Sequence, residues 1–149
     1  ANSGRCLLVE EASTADNVPI VQGSVSWHDQ CAAEHERWRW VGGYEGPDGE
    51  GFKIVNLHSG KCLEPWEEAV DEPGTRLVQA PCRDADDDSQ VWSRIQFTTD
   101  SGWNYYWAIR NKRSDLCMDN QDATKAGELL VQETCATDGS QTQQFRTDE

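Results

Sequence analysis

Residues 56–92 set the plan of the chain: NLHSGKCLE at 56–64, GTRLVQAPC at 74–82 and SQVW at 89–92. The same order returns downstream as NKRSDLCMD at 111–119, GELLVQETC at 127–135 and TQQF at 142–145. Upstream it is present as NSGRCLL at 2–8, PIVQ at 19–22, Cys31 and ERW at 36–38. Three copies of one unit, approximately 1–50, 51–103 and 104–149, thus fill almost the whole chain. A fixed-period repeat decides architecture ahead of any local reading, and the length suits a single domain over 1–149.

Each copy is framed by two cysteines. Six cysteines admit many pairings, but the threefold repetition selects the one that treats every copy alike: Cys6–Cys31, Cys62–Cys82 and Cys117–Cys135. Loops of this size each contribute about 3 kcal/mol in the chain-entropy description of a disulfide. Zinc is the competing use of cysteine, yet there is no C-x-x-C and no Cys/His cluster at finger spacing. Three structural disulfides imply an oxidising compartment, so the expected location is secreted, extracellular. The start at Ala1 fits a mature product whose signal peptide has been removed.

The net charge of −14 argues against nucleic acid, which is bound mainly through Lys and Arg, and against anionic membrane surfaces. No apolar run is long enough to span a bilayer, so no membrane insertion is expected. The acidity reads mostly as solubility. With 36% apolar residues, a chain of this size benefits from covalent support.

Helical periodicity is scarce, and short β-favouring runs alternate with turn residues. Residues 52–57 (FKIVNL) and 105–110 (YYWAIR) read as strands, with Phe52 and Trp107 in equivalent places before their cysteines. Each copy therefore reads as four short strands. The links look like hairpins: Asp100-Ser101-Gly102 as a turn, and residues 42–51 as a longer glycine-rich connection with Pro47-Asp48-Gly49 at its tip. The first copy departs from the others, with little chain ahead of Cys6 and an insertion, VSWHDQ, at 25–30.

The ordered SGKCLE, GTRLVQ-x-x-C and Q-x-W signals resemble the ricin B-type β-trefoil lectin family and the related carbohydrate-binding modules of secreted bacterial glycosidases. The second copy carries the signature as Gln90-Val91-Trp92, the third as Gln143-Gln144-Phe145, and the first in the altered form Glu36-Arg37-Trp38. The resemblance implies an all-β fold, a β-trefoil of three pseudo-symmetric four-strand repeats with one disulfide each. Trp38, Trp92 and Phe145 would fill the interior, and the glutamines before Trp92 and Phe145 would bond backbone, since buried polar groups need partners.

In such lectins a repeat can hold one shallow sugar pocket, in which an Asp after the first cysteine accepts bonds from two sugar hydroxyls. An aromatic before the second cysteine stacks on the sugar, and a further polar residue completes the grip. Charge-assisted O–H···O⁻ bonds are short and strong, which suits a carboxylate to this role. Carried onto this chain, the resemblance implies Asp119, Asn120 and Gln143 in the third repeat, with Glu64 and Trp66 in the second. The Asp position is Leu8 in the first repeat, which cannot accept a hydrogen bond. The aromatic position holds Ala80, Glu133 and Asp29. Trp66, Trp27 and the Trp103/Tyr105 pair are substitute rings, against a simpler reading in which they pack within the domain.

Other constellations carry less. Residues 84–89 (DADDDS) open like a calcium loop, but Ser89 replaces the turn glycine and Ile95 the bidentate Glu. A full calcium loop is rejected, which leaves a solvated acidic loop, with a loose surface calcium site as the lesser alternative. His28, His35 and His58 are scattered, and no thiol remains for nucleophilic work. The expectation is a non-catalytic module with no cofactor and no metal, whose partner is a glycan or polysaccharide. The alternative is a trefoil that has lost sugar binding and contacts a protein partner, because one scaffold hosts many functions.

Overall fold

The structure, a computed structural model, describes residues 5–25, 31, 33–46, 49–83, 88–98, 105–121, 126–136 and 143. The regular elements are strands β1 (Arg5–Val9), β2 (Val18–Val25), β3 (Trp38–Gly46), β4 (Gly49–Asn56) and β5 (Cys62–Pro65). They continue with β6 (Leu77–Ala80), β7 (Trp92–Thr98), β8 (Tyr105–Asn111), β9 (Cys117–Asp119) and β10 (Val131–Glu133). Among the described residues only short 3-10 turns interrupt them, and no helix there is long and apolar enough to cross a membrane. The strands form a sheet in the order β1-β2-β6-β5-β4-β7-β8-β9-β10, with β3 joined to β4.

The expected strands at 52–57 and 105–110 lie in β4 and β8. Residues 42–51 form the expected hairpin link but with less loop than expected, because strand structure runs through Gly46 and resumes at Gly49. A register shift between Val41 and Tyr44 absorbs the extra glycines as a bulge, so a stretch that reads as a loop is mostly ladder. The insertion at 26–30, the turn at 99–104, the acidic residues 84–87 and Phe145 lie outside the described residues.

The repeat in sequence is a repeat in space. Each copy builds one inner hairpin, β1–β2, β5–β6 or β9–β10, and in these Leu7, Leu63 and Met118 face Gln22, Gln79 and Gln132. Two places before each glutamine stand Ile20, Leu77 and Leu130, all fully buried. Leu77 N donates to Leu130 O at 2.8 Å and Leu130 N to Ile20 O at 2.9 Å, so the three copies join edge to edge. Around them pack Val9, Ile54, Leu63, Trp92, Ile109 and Met118, with Leu7, Val18, Trp38 and Trp40 partly buried against the cluster. Trp92 and Trp38 play one role: their indole nitrogens donate to Leu63 O at 3.0 Å and Leu7 O at 2.9 Å. Each large ring thus packs on the core with its one polar atom satisfied.

Polar side chains close the seams by the same threefold rule. Gln79 donates to Ser13 O and Ala15 O of the first copy and accepts from Ser59 Oγ. Gln132 donates to Val70 O and Glu72 O of the second copy and accepts from Ser114 Oγ. The backbone repeats the pattern: Asn17, Gly74 and Gly127 donate to the carbonyls of Gln79, Gln132 and Gln22, closing a ring of three copies. All three donors have positive φ, at 62°, 82° and 81°, a conformation that glycine and asparagine tolerate. Each copy holds its own disulfide, Cys6–Cys31, Cys62–Cys82 and Cys117–Cys135.

Candidate functional site

The inner hairpins carry the positions of interest on the face opposite the core. In the third copy Asp119 pairs with Val131 on β10. One carboxylate oxygen, Oδ1, accepts from Gln121 N at 2.8 Å, and the other, Oδ2, accepts from Gln143 Nε2 at 3.2 Å. Gln143 is itself buried and tied twice to backbone, accepting from Ala136 N at 2.7 Å and donating to Thr134 O at 2.9 Å. Asp119 is therefore oriented from both sides while remaining partly exposed. A carboxylate oxygen accepts along two lone-pair directions, so each keeps one for a ligand hydroxyl.

The second copy has the same scaffold and a different occupant. Gln90 accepts from Arg83 N at 2.9 Å and donates to Pro81 O at 2.9 Å, matching the two backbone bonds of Gln143. Residue 83 succeeds the second cysteine as Ala136 does in the third copy, but it is an arginine. Its guanidinium is bonded to Glu64 Oε2, which also accepts from Ser89 Oγ at 3.3 Å. Lys53, buried on β4, donates to the carbonyl of Arg83 and holds this segment down. Glu64 is 1% exposed, so its carboxylate serves the internal arginine. Arg83 thus bonds the carboxylate oxygen that was expected to accept from a sugar hydroxyl.

In the first copy the equivalent position is apolar. Leu8 stands opposite Val21 where Asp119 and Glu64 stand opposite Val131 and Val78. The residue after the buried glutamine is Gly23, Ala80 or Glu133 in the three copies. A Cβ on Gly23 would lie 2.7 Å from Leu8 Cδ2, so the leucine occupies that space. Register thus puts Gly23 at the position that counting back from Cys31 gave to Asp29. The insertion between them displaces the count, and Asp29 lies outside the described residues.

None of these three positions is aromatic. Trp66, the substitute ring in the second copy, lies just beyond β5 on the same face as Cys62 and Glu64, since alternate residues of a strand share a face. It is partly exposed, and the Arg76 guanidinium carbon lies 4.4 Å from its ring centroid. Trp66 and Glu64 therefore share a face without sharing an open pocket. Asn120 faces away from solvent: it is 3% exposed and donates to Gln22 Oε1 at 3.0 Å across the seam to the first copy. Its amide donor therefore serves a contact between repeats. Trp27 and Trp103, and the side chain of Tyr105, lie outside the described residues.

Sequence reasoning missed Arg83 and Gly23. The signal for Arg83 was present as the contrast of Cys82-Arg83 with Cys135-Ala136, but its meaning depends on Glu64, nineteen positions away and brought alongside only by the hairpin.

A family model described as "Ricin-type beta-trefoil lectin domain-like" matches residues 34–132. Among solved structures, the designed threefold-symmetric protein ThreeFoil is 28% identical, with a TM-score of 0.76, covering 97% of this chain and 90% of its own. The exo-beta-1,3-galactanase 1,3Gal43A from Clostridium thermocellum is 24% identical, with a TM-score of 0.73. That likeness covers 96% of this chain and 27% of the longer one. The C-half of the earthworm R-type lectin, solved in complex with GalNAc, is 14% identical with a TM-score of 0.61, covering 96% of this chain and 88% of that one. The last two identities speak for the fold alone. No match was found among curated protein sequences. With the family model spanning two thirds of the residues and the threefold hairpins, disulfides and Q-x-W glutamines in place, the chain belongs to the ricin-type β-trefoil lectin-like family.

Proposed function

We propose that this chain is a secreted, non-catalytic carbohydrate-binding module that grips its glycan through the third repeat. The observation that carries this reading is the contrast at one position. Asp119 is oriented by Gln121 N and Gln143 Nε2, and the residue after the second cysteine of its copy is Ala136, whereas Glu64 is bonded by Arg83, the residue at that place in the second copy. Two oriented acceptor oxygens fit a pair of adjacent hydroxyls, the feature that separates a sugar from most small polar ligands. Extracellular placement rests on the three disulfides, which persist in oxidising compartments. All six cysteines are bridged, so no thiol is available as a nucleophile.

The test is a glycan array probed with the wild type and with Asp119→Ala. Removal of a charged acceptor costs about 1.5–3 kcal/mol, so array signals should fall by roughly tenfold or more. Undiminished binding by Asp119→Ala would move the site away from the third repeat. An empty array together with specific capture of a secreted protein would favour protein recognition instead.

A further inference from the structure

The third-repeat site does not stop at its own repeat. The seam hydrogen bonds place the segment 74–77 of the second copy against β10 in continuous register. Arg76 pairs with Val131, Gly74 N bonds Gln132 O, Gln132 N bonds Thr75 O, and Leu77 N bonds Leu130 O. On the far side, Trp66 N donates to Arg76 O at 3.0 Å, extending the β5–β6 ladder by one step. Asp119, Val131, Arg76 and Trp66 are therefore successive cross-strand neighbours in one row, and facing residues of antiparallel strands point to the same side. Two contacts agree with a common side. A Cβ on Gly74 would meet Glu133 Oε1 at 3.5 Å, and Arg76 lies over the Trp66 ring.

We propose that the ligand of this protein is an oligosaccharide bound across the seam, one sugar on Asp119 and a further sugar on the Arg76–Trp66 pair. The inference rests on the proposed function and assigns Trp66 to the third-repeat site, not the second. Three strand spacings of about 4.8 Å separate Asp119 from Trp66, roughly 14 Å along the row. A monosaccharide cannot touch both ends, and a short oligomer can. The chemistry at the far end fits. Trp66 is partly exposed and offers the apolar surface that Glu133 cannot supply. Arg76 is exposed, and its five N–H donors have no hydrogen-bond partner among the described residues. Its stacking on the indole fixes the guanidinium against the ring, so donor and apolar surface are presented together.

The experiment titrates the wild type, Trp66→Ala, Arg76→Ala and Asp119→Ala with galactose and with β-1,3-linked galacto-oligosaccharides of two, three and four units. The wild type should gain roughly tenfold in affinity between the single sugar and the longer oligomers, the scale of one ring contact. Trp66→Ala and Arg76→Ala should each remove most of that gain and leave galactose binding unchanged, while Asp119→Ala weakens every probe. No gain with length in the wild type, or a gain that survives in both seam variants, overturns the extended site and leaves the proposed function standing. If Asp119→Ala binds every probe as the wild type does, the third-repeat reading itself falls, and the seam proposal with it. Absence of binding to all four probes overturns both for β-1,3-galactosides.

Discussion

At the scale of single residues, two positions separate the second repeat from the third on this face: the residue directly after the second cysteine, Arg83 or Ala136, and the residue two places after the first, Glu64 or Asp119. Arg83 and Glu64 form a pair in which the carboxylate is buried and the guanidinium about one-third exposed. Breaking a buried pair from one side costs several kcal/mol, less where one partner reaches water, so Arg83→Ala should destabilise the protein by about 2–4 kcal/mol in urea unfolding. Ala136→Arg makes the opposite change at a site already open to solvent and should leave unfolding within about 0.5 kcal/mol of wild type. Much of this scale was legible in the chain. The acceptor at Asp119, the missing acceptor at Leu8 and the backbone-bonding glutamines can all be read from their places in the repeat. The burial of Glu64 could not, because a lone glutamate after a cysteine reads the same whether its neighbour across the hairpin is alanine or arginine. Asn120 illustrates a different limit. A polar residue beside a site residue reads as part of the site, yet one step along a strand turns a side chain to the opposite face.

At the scale of elements, the hairpins are held less by their turns than by the glutamines between copies. Gln132 joins three segments, binding the carbonyls of Val70 and Glu72 and the hydroxyl of Ser114. Replacing it by leucine keeps the bulk and strands those groups without partners. Each lost bond in a buried place costs about 1–3 kcal/mol, and water enters at the seam to recover part of it. Gln132→Leu should therefore lower stability by about 2–4 kcal/mol in thermal or urea unfolding. A change below about 0.5 kcal/mol, the scatter of a neutral surface substitution, would remove the seam glutamines from the account of what holds the copies together. The strand pattern and disulfide pairing could be read from the repeat, because periodicity of unit length constrains every copy at once. The bulge in β3 could not. Gly42 and Gly43 carry the same signal whether they end a strand or are absorbed within it, and the pairing with β4 decides between the two.

At the scale of the whole molecule, threefold symmetry governs the interior and is broken at the surface. Ile20, Leu77 and Leu130 meet as equivalents, and the seam bonds run in a closed ring. The outward positions above them have diverged into a leucine against glycine, a glutamate under arginine and an oriented aspartate. Of the three equivalent places one presents a carboxylate partly open to solvent, and on the proposed reading the other two add no multivalent enhancement. The account is tested most directly by calorimetric titration of the wild type, Asp119→Ala and Glu64→Gln with the strongest saccharide from the array. It predicts one site per chain in the wild type, the same affinity in Glu64→Gln and loss of binding in Asp119→Ala. Two or three sites per chain, or binding that survives in Asp119→Ala and disappears in Glu64→Gln, would contradict it.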